Sequence, residues 1–182
     1  MAAILLLAAC GSSSASKSTE SEAWSSATVA ADEDFADPQG TYTVRIGTDW
    51  VVATGTKHPD REAWAINGYG PLPSFVSIGT STETYASVEE YMQRAQLPTG
   101  LPDLEVLSNS IVRSTSGDKL AVVEYTGTDT GTPVHIVVAI AVPPDGGTAV
   151  DYLFTAPAEQ FDATYAVVHP LLLTLSATGN DL

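Results

Sequence analysis

The chain has 182 residues, of which 22 are acidic and seven are basic, so its formal net charge at pH 7 is −15. This length is sufficient for one domain with a sizeable core. Because phosphate and anionic lipid are bound by clustered Lys and Arg, the charge argues against nucleic acid as a partner and against electrostatic attachment to a membrane.

The chain opens with an apolar run that ends in the sequence Leu-Ala-Ala-Cys10. A run of this length suits the apolar core of a signal peptide and is too short to span a bilayer. The sequence matches the lipobox of bacterial lipoproteins, whose cysteine is acylated and becomes the mature N-terminus. We therefore predict a lipoprotein signal peptide over residues 1–9, lipid attachment at Cys10, and a lipid-anchored protein on the extracytoplasmic face of the cell membrane.

Two alternatives stay open for this segment, an ordinary secretory signal and a buried N-terminal helix, since no basic residue precedes Lys17. Cys10 is the only cysteine in the chain, so we expect no disulfide. Residues 10–38 are rich in Ser, Ala and acid, a composition that predicts a disordered tether behind the acylated N-terminus. Residues 39–182 are predicted to form a single domain.

The first half of the domain mixes strand patterns with an irregular stretch. Residues 41–46 alternate in polarity and residues 50–53 follow a turn, which predicts an opening hairpin. Residues 59–73 place Trp64, Ile66 and Tyr69 among glycines and prolines and predict a long ordered loop. Strand character resumes at residues 74–78.

A first helix is predicted from the capping box Ser87-Val-Glu-Glu90, in which Ser87 caps the helix and Glu90 reaches back to the Ser87 backbone. Its apolar stripe continues to Ala95, and Pro98 with Gly100 is expected to end it.

Four strands are predicted after this helix, over residues 104–115, 119–126, 133–142 and 148–155. Their short turns indicate antiparallel neighbours. Residues 134–142 are apolar at almost every position, which is typical of a central strand covered on both faces.

A last helix is predicted to begin near Pro157. It would bury an apolar stripe, and Pro170 predicts a kink over residues 166–169. The stripe consists of Phe161, Tyr165, Val168, Leu172 and Leu175.

Four stretches of the domain form a recognisable pattern. They are Tyr42-Thr-Val-Arg-Ile with Trp50, Ser87-Val-Glu-Glu-Tyr91, Val122-Val-Glu-Tyr125, and Asp151-Tyr-Leu-Phe-Thr-Ala-Pro157 leading to Phe161 and Asp162. Together they resemble the LpqN-type lipoproteins of actinobacteria, which are similar in turn to the PsbP and Ran-binding import-factor superfamily. The resemblance spans roughly residues 40 to 176 and contains no catalytic position. It implies an α+β fold, an α/β/α sandwich with a largely antiparallel sheet and helices on its faces, and a non-enzymatic binding role.

Motifs for catalysis or metal binding are not found in the sequence. His58, His135 and His169 have no metal-ligand partner at helical spacing, and His135 is expected to be a packed or edge-facing side chain. No Gly-x-Ser-x-Gly occurs. We therefore expect no enzyme, no cofactor and no metal, although the turn at Asp145 leaves a weak calcium site as an open alternative.

The predicted function is non-enzymatic binding of an envelope lipid, a glycolipid or a partner protein at the membrane. The alternatives are a scaffold or assembly factor of a membrane complex, and a hydrolase. The candidate binding residues are Trp64, Ile66, Tyr69 and Leu72, because aromatic and apolar side chains on a long loop suit lipid tails, sugars or a protein groove. The alternative is that Trp64 plugs one end of the sandwich.

Overall fold

The computed structural model describes residues 24–28, 34–47, 50–53, 61–66, 74–94, 101 and 103–179. Within these residues the helices are α1 (Val88–Arg94) and α2 (Phe161–Leu172), and a single 3-10 turn (Ala158–Gln160) leads into α2. The strands are β1 (Trp24–Thr28), β2 (Asp34–Ala36), β3 (Tyr42–Arg45), β4 (Val51–Ala53), β5 (Arg61–Ile66), β6 (Ser74–Tyr85), β7 (Glu105–Arg113), β8 (Lys119–Asp129), β9 (Thr132–Ala141), β10 (Gly147–Pro157) and β11 (Ser176–Ala177).

Two antiparallel sheets are built from these strands. The larger has eight strands in the order β1-β4-β5-β6-β10-β9-β8-β7, and the smaller has the order β11-β3-β2. The predicted strands that became β7 to β10 pair with their neighbours through short turns. Their prediction as an antiparallel set is confirmed.

The large sheet is covered on both faces because its central strands are apolar at successive positions. On β9, Val137 and Ala139 enter the core cluster that contains α2, whereas Val138 and Ile140 enter the cluster that contains α1. Helices therefore pack on opposite faces of one antiparallel sheet, which confirms the predicted α+β class.

The α2 layer buries the predicted apolar stripe. Phe161, Val168, Leu172 and Leu175 are each at most 4% exposed, while Tyr165 is partly buried against the same core. Pro170 lies inside the helix, which continues to Leu172. The small three-stranded sheet also contributes to this core through Tyr42, Val44 and Ala177.

The predicted opening hairpin is wrong. β3 belongs to the small sheet and β4 belongs to the large one, so the chain crosses between the sheets instead of turning back on itself. Trp50 lies in the core at 2% exposure, with its indole against Gly47. A Cβ at Gly47 would lie 2.5 Å from the indole nitrogen, so only glycine permits this approach.

α1 begins as predicted, with one change in its cap. The Glu90 amide donates to Ser87 Oγ at 3.2 Å, and the Glu90 carboxylate accepts from the amide of Ala86 at 2.6 Å and not from that of Ser87. This bond and the ion pair with Arg94 lower the pKa of Glu90. The helix is described to Arg94, so Ala95 and the predicted stop at Pro98 and Gly100 lie outside the described residues.

The prediction of a long loop over residues 59–73 is wrong for residues 61–66, which form β5. This strand pairs with β6 over its whole length and with β4 at residues 63–65. Pairing with two neighbouring strands supplies the order that the local sequence does not indicate. Regular structure also occurs within residues 10–38, where β1 pairs with β4 and β2 pairs with β3. The Phe35 ring lies 6.2 Å from that of Tyr42 and packs on the core.

Candidate functional site

Of the four residues predicted to bind a ligand, Trp64 and Ile66 lie within the described residues. Ile66 is 3% exposed and belongs to the main core, so its side chain supports the sheet. The backbone of Trp64 lies in β5, opposite Val52 and Val76. Tyr69 and Leu72 lie outside the described residues.

Cys10 and His58 also lie outside the described residues, so lipid attachment stays a prediction. None of the helices described is long and apolar enough to cross a membrane.

A polar cluster instead lies on the α2 face of the large sheet. Glu124 of β8 and His135 of β9 lie on this face, and His135 Nε2 is 2.7 Å from Glu124 Oε1. The nitrogen has no well-directed hydrogen bond, so this close contact lacks the geometry of a hydrogen bond. The other Glu124 oxygen accepts a hydrogen bond of 3.0 Å from the hydroxyl of Ser108 on β7.

Aromatic rings of α2 form the other side of the cluster. The His135 ring stacks on Phe161 with centroids 3.5 Å apart and planes inclined by 15°, which confirms the prediction that His135 is a packed side chain. Tyr165 stacks on Phe161 at 5.0 Å, and His169 meets the edge of Tyr165 at 5.3 Å. We call Ser108, Glu124, His135 and Tyr165 the Glu124 cluster, with the exposed His169 at its rim.

The Glu124 cluster is open to solvent along one side. Side-chain exposure is 31% for Glu124 and 16% for His135. Ser108 and Ser110 of β7 share the α2 face, since they pair with Glu124 and Val122, and both are exposed. α2 therefore leaves this edge of the sheet uncovered, and a ligand can reach the carboxylate.

Tyr165 is held in its neutral form within the cluster. Burial raises the pKa of its phenol, and the charge of Glu124 raises this pKa further. A neutral phenol can donate a hydrogen bond, while the carboxylate accepts one. The cluster thus offers an accepting carboxylate and a donating phenol beside stacked rings, an arrangement suited to a cationic or hydroxyl-bearing group.

The order of the contacts does not correspond to that of a catalytic triad. A serine nucleophile needs a histidine at its hydroxyl, with the acid behind the histidine. Here Glu124 lies between Ser108 and His135, so the imidazole is not placed to take the serine proton. Across the described part of the chain, no group of three or more His, Cys, Asp and Glu side chains could hold a metal ion.

Sequence reasoning placed His135 correctly but missed the cluster. Glu124 is the one charged residue within the run 120–128, which is otherwise apolar or neutral. A single acid in such a run indicates a paired or functional carboxylate, because an acid on a central strand needs a partner. The identity of the partner depends on the β8–β9 register and on the docking of α2, which the sequence alone does not give.

No model of a protein family matches this sequence, and the comparison with curated proteins gives no match. Solved structures are nevertheless similar in fold. A protein of Bacteroides thetaiotaomicron has a TM-score of 0.57 and 13% identity, with 84% of this chain and 51% of that chain covered. The present chain therefore spans about half the length of the Bacteroides protein.

The Ran-binding protein Mog1p of Saccharomyces cerevisiae is similar as well. Its TM-score is 0.51 at 12% identity, and the match covers 82% of this chain and 95% of that chain. A Pseudomonas aeruginosa protein of unknown function has a TM-score of 0.48 at 12% identity, covering 78% of this chain and 95% of that one. At these identities the likeness shows the fold alone. Membership of the wider superfamily and the LpqN-type assignment both stay predictions.

Proposed function

We propose that this protein is a lipid-anchored envelope protein with a non-enzymatic binding role, and that the Glu124 cluster captures a basic side chain of a partner protein. The observation that supports this most is a half-buried carboxylate beside aromatic rings, on a side of the sheet face that is open to solvent. Partly burying a charge that is incompletely paired costs free energy. Such a carboxylate is therefore a candidate binding group.

Electrostatics favour a basic partner. The chain has a net charge of −15, which attracts positively charged surfaces at long range. A Lys or Arg side chain reaching Glu124 would also lie beside the partly exposed ring of Tyr165, and aromatic rings attract cations. The yeast neighbour in fold, Mog1p, is a Ran-binding protein, which adds support for a protein as the ligand.

The anchor is supported by the lipobox at Cys10 and by a single cysteine in the chain. Acyl chains on Cys10 would hold the domain at the extracytoplasmic face of the cell membrane, since two chains are sufficient for stable anchoring. A membrane protein with a basic external segment would then lie within reach of the cluster.

Site-specific photo-crosslinking in intact cells tests this proposal. A photoreactive amino acid that replaces His169 would lie at the rim of the cluster, because His169 contacts Tyr165. The matched control is Val167, which is 57% exposed and lies on the opposite flank of α2, about 200° around the helix from Tyr165.

We expect a discrete protein adduct from the His169 probe and little or none from the Val167 probe. An adduct with the small mass of a lipid would show that the ligand is an envelope lipid and not a protein. Equal adducts from both positions, or none from either, would contradict a binding site at this flank of α2.

A further inference from the structure

β7 is an exposed edge strand of nine residues with an unusual composition. Among the described strands its one neighbour is β8, and eight of its nine residues are exposed. Val106, Leu107 and Ile111 are 39%, 50% and 46% exposed. Between Glu105 and Arg113 the strand contains no charge and no proline, the usual protections of an open edge.

The sequence of β7 is self-complementary about Asn109. Outward from Asn109 the strand has serine on each side at 108 and 110, then Leu107 and Ile111, then valine at 106 and 112. The ends are Glu105 and Arg113, which have opposite charges. A second copy turned by a twofold axis through Asn109 would therefore meet a matching residue at each step from Leu107 to Ile111.

We propose that two copies of this chain pair through β7, antiparallel and centred on Asn109, to join their eight-stranded sheets into one. Asn109 would face its equivalent, Ser108 would face Ser110 of the second copy, and Leu107 would face its Ile111. The exposed apolar side chains are then covered and the open backbone groups of both edges are bonded.

Both the charges and the single bulge agree with this arrangement. A parallel pairing would bring the two acidic ends together and the two basic ends together, whereas the antiparallel one places the acidic end of each strand near the basic end of the other. The β7–β8 register shifts between Val106 and Ser108, which makes Leu107 an extra residue on β7. Val106 and Leu107 of one copy then both lie near Ile111 of the other.

Disulfide trapping in the full chain tests the pairing. Residues directly opposite in an antiparallel pair have Cα atoms about 4.5–5.5 Å apart, within the range that a disulfide spans. Asn109→Cys in a Cys10→Ser background should therefore form a covalent dimer under mild oxidation. Val167→Cys, an equally exposed thiol on α2, serves as the control and should crosslink much more slowly.

The register has its own test. A mixture of Leu107→Cys and Ile111→Cys chains should form mixed dimers, whereas each variant alone should not, because like positions would be about 13 Å apart. The unmodified chain should sediment as a dimer, and Ile111→Lys should raise the dissociation constant about tenfold or more.

A monomeric mass at every concentration, together with Asn109→Cys crosslinking no faster than Val167→Cys, would overturn the proposal. So would mixed disulfides of Asn109→Cys with a different envelope protein in cells, which would assign the β7 edge to another partner. Like-with-like dimers of Leu107→Cys would contradict the antiparallel register.

Discussion

Tyr152 shows how a single residue limits the stability of this core. Its side chain is 0% exposed on β10, and its hydroxyl has no hydrogen-bond partner among the described residues. Burial raises the pKa of this phenol well above its ordinary value. The folded state thus retains a neutral phenol at the cost of an unpaired polar group.

Tyr152→Phe should raise the free energy of unfolding at pH 7 by about 1 kcal/mol, because it removes a buried unpaired hydroxyl. The pKa of Tyr152 is raised in the folded state, so above about pH 10 the phenol ionises in the unfolded chain first. The contribution of Tyr152 to the free energy of unfolding is therefore fully present below about pH 10 and is lost as the pH rises further. Denaturant titrations at pH 7 and above pH 10 should show the alkaline loss reduced in the variant. Tyr85→Phe is the control, because the hydroxyl of Tyr85 donates to Glu83 Oε2 at 3.4 Å and its removal should not raise the free energy of unfolding.

Phe161 links the core to the Glu124 cluster. It is 4% exposed and stacks on His135, with further ring contacts to Phe154 and Tyr165. Phe161→Ala should lower the free energy of unfolding by about 3–5 kcal/mol through lost burial and a cavity. Asp162→Ala, at the exposed next position, should change it little. A Phe161→Ala chain that melts like the unsubstituted protein would show that the helix does not pack as described.

At the scale of elements, the β8–β9 hairpin closes with a tight two-residue turn. Asp129 pairs with Thr132, which leaves Thr130 and Gly131 as a two-residue loop. Both have positive φ, 47° for Thr130 and 88° for Gly131. This is a type I′ turn, which prefers Asn at its first position, and a β-branched threonine is strained there.

Thr130→Asn should therefore stabilise the protein by about 1 kcal/mol, the order of the cost of a left-handed conformation for an ordinary residue. Thermal unfolding would show a higher Tm for this variant. The matched substitution Thr128→Asn, within β8, should not raise Tm, and an increase of equal size there would contradict turn strain as the cause.

The sequence was informative for some elements and not for others, for physical reasons. β7 to β10 were predicted because each is long and joined by a short turn. β5 was missed because its order comes from pairing with β4 and β6, and the opening hairpin was wrong because β3 pairs with β2 and β11. The Glu124 cluster depends on the docking of α2, so no local pattern could assemble it.

At the scale of the whole molecule, the domain is an acidic body that we propose is attached at one end by lipid. If Cys10 is the acylated residue, Cys10→Ala should abolish metabolic labelling by fatty acid and move the protein out of the membrane fraction. Cys10→Ser is a second variant with the same expectation. Fatty-acid label persisting in either variant would contradict the assignment of the lipobox.

The proposed β7 pairing and the proposed binding at the Glu124 cluster depend on different residues. Dimerisation depends on Leu107 and on Ile111, which pairs with Ala121 on the α1 face, whereas partner capture depends on Glu124 on the α2 face. Ile111→Lys should thus lower the dimer fraction without removing the adduct at His169.

The most direct test of the Glu124 cluster as a binding site is the yield of the protein adduct from a His169 probe when Glu124→Gln removes the charge. Losing a charged hydrogen-bond acceptor weakens binding by about tenfold or more, so most of the adduct should disappear. Asp145→Asn, an equal change of charge in the exposed turn between β9 and β10, should leave the yield unchanged. An undiminished adduct in Glu124→Gln, or an equal loss in both variants, would contradict recognition by the Glu124 cluster.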